Sequence, residues 1–151
     1  MKVTYKGDYA LKTILDLSYF YDRNSVVPLV DIAKRQNIPE NYLEQIMLKL
    51  KGSGYVDSKR GIGGGFFLAK SPKEITIGDV IRIIEGPIEP IACGKKYHDD
   101  SCGEESQCVF REVWLKVTDN ISSVVDQVTF EDMMQRNDEL KRQNQDYMYY
   151  I

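Results

Sequence analysis

The sequence predicts a mainly α-helical chain with a small β-hairpin wing, that is, a winged helix-turn-helix followed by a long dimerisation helix. Two observations lead to this fold class. Three amphipathic helical patterns precede two strand-like runs that flank a glycine-rich tip. A longer helical pattern further along carries apolar residues at alternating steps of four and three. The length of 151 residues suits one domain, or one small domain with an extension.

The three helical patterns come first. Residues 9–21 keep apolar side chains at helical spacing, and a proline opens a short second helix over 29–36. A tight turn at 37–38 leads to a third helix, which begins at Pro39 and runs to about Lys51. Its predicted inner face consists of Tyr42, Leu43, Ile46, Met47 and Leu50.

The wing and a fourth helix follow. Residues 55–59 and 66–69 are strand-like and flank the glycine-rich run 60–65, which predicts a hairpin with a flexible tip. A capping box at 76–79, with Asp in place of the usual Glu, precedes a helix over 80–85.

The second half predicts a packing helix and a polar end. The helix over 110–128 has an apolar seam, and a last helix begins near Thr129. The seam residues are Phe110, Trp114, Val117, Ile121, Val124 and Val128. We expect the chain to have four parts. Residues 1–86 form a DNA-binding winged helix-turn-helix, and 87–109 form a cluster-binding loop that contains all three cysteines and is called here the cysteine segment. Residues 110–134 form the dimerisation helices, and 135–151 form a polar, partly disordered tail.

The helix-turn-helix pattern predicts that the third helix enters the major groove of DNA. Asn and Gln pair with adenine, and Glu accepts from cytosine. The candidate base-reading residues are Glu40, Asn41, Tyr42, Glu44, Gln45 and Lys49. Lys34, Lys51 and Lys59 are candidates for phosphate contacts, and Arg60 at the hairpin tip, with Gly61 and Gly63, for the minor groove.

Charge and composition narrow the function classes. Residues 1–70 carry 11 Lys+Arg and 7 Asp+Glu, a net of +4, whereas the whole chain is −3. A basic first half favours a polyanionic partner. No apolar run approaches the roughly 20 residues that cross a bilayer, and the first residues lack the apolar stretch of a signal peptide. We therefore expect a cytoplasmic protein without a membrane partner.

Catalysis is not expected. The glycine run GIGGG lacks the Gly-Lys-Ser/Thr ending of a phosphate loop, and strand-like residues follow it. His98 is the only histidine and has no plausible nucleophile in its sequence context. The chain is thus predicted not to be an enzyme and to have no small-molecule substrate.

Cys93, Cys102 and Cys108 are the only cysteines, spaced C-x8-C-x5-C within one polar, acidic stretch. Clustered thiolates suit an iron–sulphur or zinc site. Three readings stay open: an iron–sulphur sensor; a structural zinc site that His98 completes; and a metal-free thiol regulator in which Cys93 or Cys102 is oxidised.

The apolar seam predicts a homodimer. A helix of this length with one aromatic-rich edge would leave a large apolar strip uncovered in a small monomer. A twofold dimer would present two reading heads to a palindromic operator on double-stranded DNA.

Four segments and the three cysteines carry a resemblance to a known family. The segments are TYKGDYAL, VPLVDIAKRQNIPENYLEQI, VDSKRGIGGGFFLA and ITIGDVIRIIEGPIEP. Over residues 1–134 the chain resembles the IscR/NsrR-type family of bacterial winged-helix iron–sulphur regulators. The resemblance implies a dimeric transcription factor whose third helix reads the major groove. It also implies that Arg60 and the glycine wing follow the minor groove, that the residue matching Glu44 tunes base discrimination, and that the cysteines hold an iron–sulphur cluster.

The resemblance also bears on the cluster's fourth ligand. IscR-like members have a C-x5-C-x5-C spacing and a His three residues after the last Cys, where this chain has Arg111. NsrR-like members use an Asp near the N-terminus, and Asp8 matches it. Asp8 is therefore the first candidate, followed by His98, Glu104 and Glu105. We expect [2Fe–2S] in preference to [4Fe–4S], and regulation of iron–sulphur cluster biogenesis, with nitric-oxide or redox sensing as the alternative.

Overall fold

The computed structural model of the chain describes residues 3–23, 25–89 and 108–148. Its elements in chain order are α1 (Tyr5–Ser18), α2 (Leu29–Gln36), α3 (Glu40–Gly52), β1 (Val56–Lys59), β2 (Gly65–Leu68), a short 3-10 turn (Pro72–Glu74), α4 (Ile77–Glu85), α5 (Arg111–Gln127) and α6 (Phe130–Met148). The mainly α-helical fold with a small hairpin is confirmed.

The helix-turn-helix unit consists of α2, a tight turn and α3. Asn37 ends α2 in the left-handed conformation, with φ 52° and ψ 48°, which Asn tolerates better than most residues. The next residue, Ile38, is buried and its amide donates to the Ala33 carbonyl at 2.9 Å. The predicted bounds of both helices are confirmed to within a residue.

The wing is an antiparallel pair in which Val56 faces Leu68 and Lys59 faces Gly65. Val27, from the segment before α2, exchanges two backbone hydrogen bonds of 2.8 Å with Phe66. This extra pairing ties β2, close to the hairpin tip, to the segment that leads into the helix-turn-helix unit. The predicted strands are confirmed: β1 begins one residue later than predicted and ends at the predicted residue, and β2 lies one residue earlier than predicted.

α1 runs through the middle of the fold and packs against α2, α3, α4 and α6. It begins at Tyr5, four residues before the predicted start, because the Thr4 side chain accepts a hydrogen bond from the Lys6 amide as an N-cap. The fully buried side chains include Ile14, Leu17, Ile32, Leu43, Ile46, Met47, Leu50, Val56, Ile75, Val80 and Phe130.

The prediction that Tyr42 belongs to the inner face of α3 was wrong. Tyr42 is 47% exposed, whereas Leu43, Ile46 and Met47 are at most 1% exposed. Tyr42 lies at the edge of the buried stripe, where its ring meets Tyr9 edge-on at 6.3 Å between centroids. A four-residue helical spacing alone does not distinguish the centre of a stripe from its edge.

α6 extends well beyond the predicted start of the polar tail. It continues to Met148, and residues 149–151 lie outside the described residues. Partial disorder of the tail stays a prediction. The Tyr19 hydroxyl accepts from Asn137 at 2.8 Å and donates to Asp138 at 2.9 Å, which fixes this half of α6 to the end of α1. None of the helices described here has both the length and the apolarity needed to span a bilayer.

Candidate nucleic-acid interface and cysteine segment

The outer face of α3 is polar and accessible. Glu40, Asn41, Glu44 and Gln45 are all exposed, on the side opposite the buried stripe. Pro39 precedes the helix without a side-chain cap, and the Tyr42 amide donates to the Pro39 carbonyl at 3.0 Å. The amides of Glu40 and Asn41, at the start of the helix, have no acceptor of their own within the helix. This end of α3 is the one that approaches base edges when a helix-turn-helix docks on DNA.

Two predicted contacts of α3 are also engaged within the chain. The Gln45 Oε1 accepts from Lys6 Nζ at 2.9 Å, which links α1 to the outer face of α3. The Lys49 ammonium donates to the Ile84 carbonyl at 3.0 Å, at the end of α4. Lys49 thus lies against α4 instead of projecting freely from the outer face.

The wing presents exposed cations at its tip. Lys59 and Arg60 are exposed and form no ion pair with another described residue. Lys51 instead bonds Asp57 at 3.1 Å and the Ser58 hydroxyl, so its charge is partly neutralised. The predicted phosphate contact Lys34, on α2, is exposed.

A carboxylate clamp that sequence reasoning missed joins α1 to the helix-turn-helix unit. Asp16 is 6% exposed, and its oxygens accept from Arg35 Nε at 3.0 Å, Arg35 Nη2 at 2.7 Å and Gln36 Nε2 at 2.9 Å. The hydrogen bond with Asp16 raises the pKa of Arg35 further above its ordinary value. The only hint in the sequence was a charged residue in the apolar stretch of α1.

A second junction, at the end of α4, was also not predicted. The Glu85 carboxylate accepts from the Thr4 amide at 2.8 Å and the Thr4 hydroxyl at 2.6 Å. Burial raises the pKa of Glu85, but the donors of Thr4 and Gly7 and the charge of Lys49 outweigh it, and the pKa lies below its ordinary value. The start of α1 and the end of α4 are therefore joined directly before the cysteine segment.

Of the cysteine segment, the structure describes its two ends. Cys93, Cys102, His98, Glu104 and Glu105 lie outside the described residues. Cys108 is a half-buried free thiol directly before α5, and its carbonyl accepts from the Arg111 amide at 3.1 Å. Within the described ranges, no three His, Cys, Asp or Glu side chains come together as a metal site.

Two observations bear on whether a cluster fits here. The Cys108 thiol is partly accessible, and the buried Nε of Arg111 finds no acceptor among the described residues. A buried N–H donor without a described acceptor, on a partly buried guanidinium, suits an anionic neighbour such as a thiolate-bound cluster. Asp8, the candidate fourth ligand, is about half exposed on α1 and forms a 2.7 Å ion pair with Lys12. The donor types present, cysteine thiols and an accessible carboxylate, are ones that iron–sulphur clusters accept.

α5 exposes the apolar seam that the sequence predicts. Phe110, just before the helix, is 67% exposed and Val124 is 64% exposed, while Trp114, Val117, Ile121 and Val128 are only partly buried. The one buried residue of α5 is the polar Thr118, which is 9% exposed. Arg82 holds the far end of α5 to α4 through two hydrogen bonds to Asp126, of 2.6 and 2.9 Å. α5 is therefore fixed to α4 at its far end, and its apolar seam is only partly covered by the rest of the chain.

Residues 3–136 match the model of the Rrf2 family, described as an iron-dependent transcriptional regulator. The chain is 34% identical to the HTH-type transcriptional regulator CymR of Bacillus subtilis, over all of both chains. It is also 34% identical to the HTH-type transcriptional regulator IscR of Yersinia pseudotuberculosis, over 97% of this chain and 88% of that one.

Solved structures show the same two similarities. The B. subtilis CymR structure, titled the global cysteine regulator, aligns with a TM-score of 0.72 at 34% identity over 90% of this chain and 98% of that one. The T. potens IscR structure aligns with a TM-score of 0.73 at 35% identity, covering 93% and 90%.

Proposed function

Because the chain belongs to the Rrf2 family of transcriptional regulators, we propose that it is a homodimeric DNA-binding regulator controlled by an iron–sulphur cluster on Cys93, Cys102 and Cys108. The observation that carries the DNA-binding part is the outer face of α3. Its polar side chains are exposed while its opposite face is buried, and a wing with two exposed cations lies in the same domain. That arrangement combines base reading by α3 with phosphate and minor-groove contacts by the wing.

The dimer rests on α5. Large apolar side chains exposed along one helix cost free energy in water, and a second copy of the same helix covers them by twofold symmetry. The two reading heads would then face a palindromic operator.

The cluster would be held by the three thiolates and by Asp8 as the fourth ligand. Such a cluster supplies a redox-active and labile centre whose loss or oxidation changes how the residues around it are held together. Ligation by Asp8 requires that its carboxylate leave the ion pair with Lys12, which costs little because the pair is exposed. Arg111 would compensate the negative charge beside Cys108.

The ends of the cysteine segment explain how its state would reach DNA. At one end, Lys49 of α3 holds the Ile84 carbonyl and Thr4 of α1 holds Glu85. At the other end, Cys108 leads directly into the dimer helix. A change within the segment therefore acts on the recognition helix and on the spacing of the two heads. A 100-fold change in DNA affinity needs only about 2.7 kcal/mol.

The full-length similarity to CymR favours a second candidate. In that case the same DNA-binding dimer is controlled by oxidation of Cys93 or Cys102 without a metal. The two candidates share the fold and the DNA interface and differ in what the cysteines bind.

The deciding experiment is an anaerobic visible absorption spectrum with iron and sulphide counts on protein purified without oxygen. Two irons and two sulphides per chain indicate [2Fe–2S], and four of each indicate [4Fe–4S]. The Cys102→Ala variant should lose the absorbance, whereas Ser106→Ala, a small change in the same segment, should keep it. A colourless protein that cannot be reconstituted rejects the cluster and supports the thiol candidate or zinc.

DNA binding is tested separately, by selecting bound sequences from a random library. Recovery of a palindrome supports the dimeric regulator, and recovery of no sequence preference at low salt contradicts it.

A further inference from the structure

The tip of the wing carries an unusually exposed apolar residue. Ile62 has a relative exposure of 108%, so its whole side chain stands in water. It lies in the four-residue turn Gly61–Gly64, which the Gly64 amide closes by donating to the Gly61 carbonyl at 2.9 Å. The second position of such a turn is its outer corner.

The residues on either side of Ile62 leave it free of neighbours. Gly61 and Gly63 have φ of 93° and 73°, a region that glycine occupies without strain. A side-chain carbon built at either position would meet no atom within 4 Å. The tip therefore presents one apolar side chain, flanked on both sides by glycines that carry no side chain.

The residues directly after the tip are held by the segment before α2. Val27 and Phe66 exchange two backbone hydrogen bonds, and Gly65 lies so close to the Val27 carbonyl that a larger residue would collide with it. The direction of the tip is thus set by the helix-turn-helix unit.

Two exposed cationic side chains lie next to Ile62 in the sequence. Lys59 and Arg60 directly precede the turn and are both exposed. Their charges draw the tip toward phosphates, and no acidic residue occurs between Lys59 and Lys70 to oppose them.

We propose that Ile62 is an apolar wedge that enters the minor groove beside the half-site read by α3 and partly opens one base step there. This inference rests on the proposed DNA-binding function. Branched and apolar side chains inserted in this way unstack a step and bend the duplex, at lowest cost at flexible pyrimidine–purine steps. Ile62 would therefore select deformable sequence at positions where no side chain reads a base edge.

The test uses the full chain and an operator obtained by selection, with 2-aminopurine, whose fluorescence rises on unstacking, placed in turn at each flanking step. Wild-type protein should raise the fluorescence at one step per half-site. Ile62→Ala should abolish this rise and lower operator affinity about ten-fold. The loss is smaller than the free energy of transferring the whole side chain from water would give, because the cost of unstacking the bases offsets part of that free energy. The salt dependence should not change, since no charge is lost.

Two further variants complete the test. Arg60→Gln should lower the magnitude of the salt slope by about one while keeping the fluorescence rise, and Ile62→Leu should retain most of the wild-type behaviour. Equal affinity and equal fluorescence for Ile62→Ala and wild type overturn the wedge while leaving the regulator standing. Absence of wild-type operator binding instead overturns the proposed function itself.

Discussion

Replacing Arg35 with alanine should destabilise the fold by about 3 kcal/mol. The Asp16 carboxylate is 6% exposed and receives two of its three hydrogen bonds from Arg35, so the variant leaves a buried charge with Gln36 alone. Breaking a buried ion pair costs about 3–5 kcal/mol, and the lower end applies because the Arg35 side chain is itself 39% exposed. The guanidinium also lies 5.0 Å from the Phe20 ring, a contact that is lost as well.

Urea unfolding at neutral pH measures the effect. With a slope of about 2 kcal/mol per molar urea, the midpoint should fall by about 1.5 M. Arg35→Lys keeps the charge but not the two-pronged geometry and should fall between the variant and wild type. Lys34→Ala, on the same helix but exposed, should change stability by less than about 0.5 kcal/mol. An Arg35→Ala midpoint equal to that of Lys34→Ala would refute the view that this clamp holds α2 to α1.

Three further predictions concern other parts of the molecule. The pKa of Glu85 is lower in the folded state than in the unfolded state, so its charge stabilises the fold above the unfolded-state pKa, and that stabilisation is lost as pH falls through the folded-state pKa. Glu85→Gln should therefore lower the melting temperature at neutral pH but not in acid below the folded-state pKa. An equal loss of melting temperature at both pH values would contradict this role of Glu85. Val124→Asp should raise the dimer dissociation constant about 100-fold or more in sedimentation, since twofold symmetry exposes two copies of the lost apolar contact, whereas Asn120→Asp, an exposed change of the same charge, should not. Gln45→Ala should cost about 1–3 kcal/mol of discrimination at one operator base pair in binding titrations with single-base variants, and a uniform loss across all variants would show that Gln45 does not read a base.

The local parts of this fold follow from the sequence. The bounds of α2 and α3, the turn at Asn37 and the wing depend on proline and glycine positions and on apolar periodicity, all of which act over a few residues. The outer face of α3 follows in the same way, because a buried stripe determines which residues remain on the opposite side.

Contacts between distant residues do not follow from local patterns. Asn137 and Asp138 of α6 bond Tyr19, which lies more than a hundred positions earlier in the chain. Lys49 stays a predicted DNA contact, and its ammonium also donates to the Ile84 carbonyl of α4. No periodicity in the chain reports such a pairing.

By itself, then, the sequence determined the fold class, the helix-turn-helix pair, the wing and the apolar seam, because each depends on the pattern of neighbouring residues. Only the tertiary structure decided which polar groups hold the helices of this domain together. The Asp16–Arg35 clamp and the Glu85–Thr4 junction each join side chains from separate helices. Their strength depends on burial and distance, which exist only once the chain has folded.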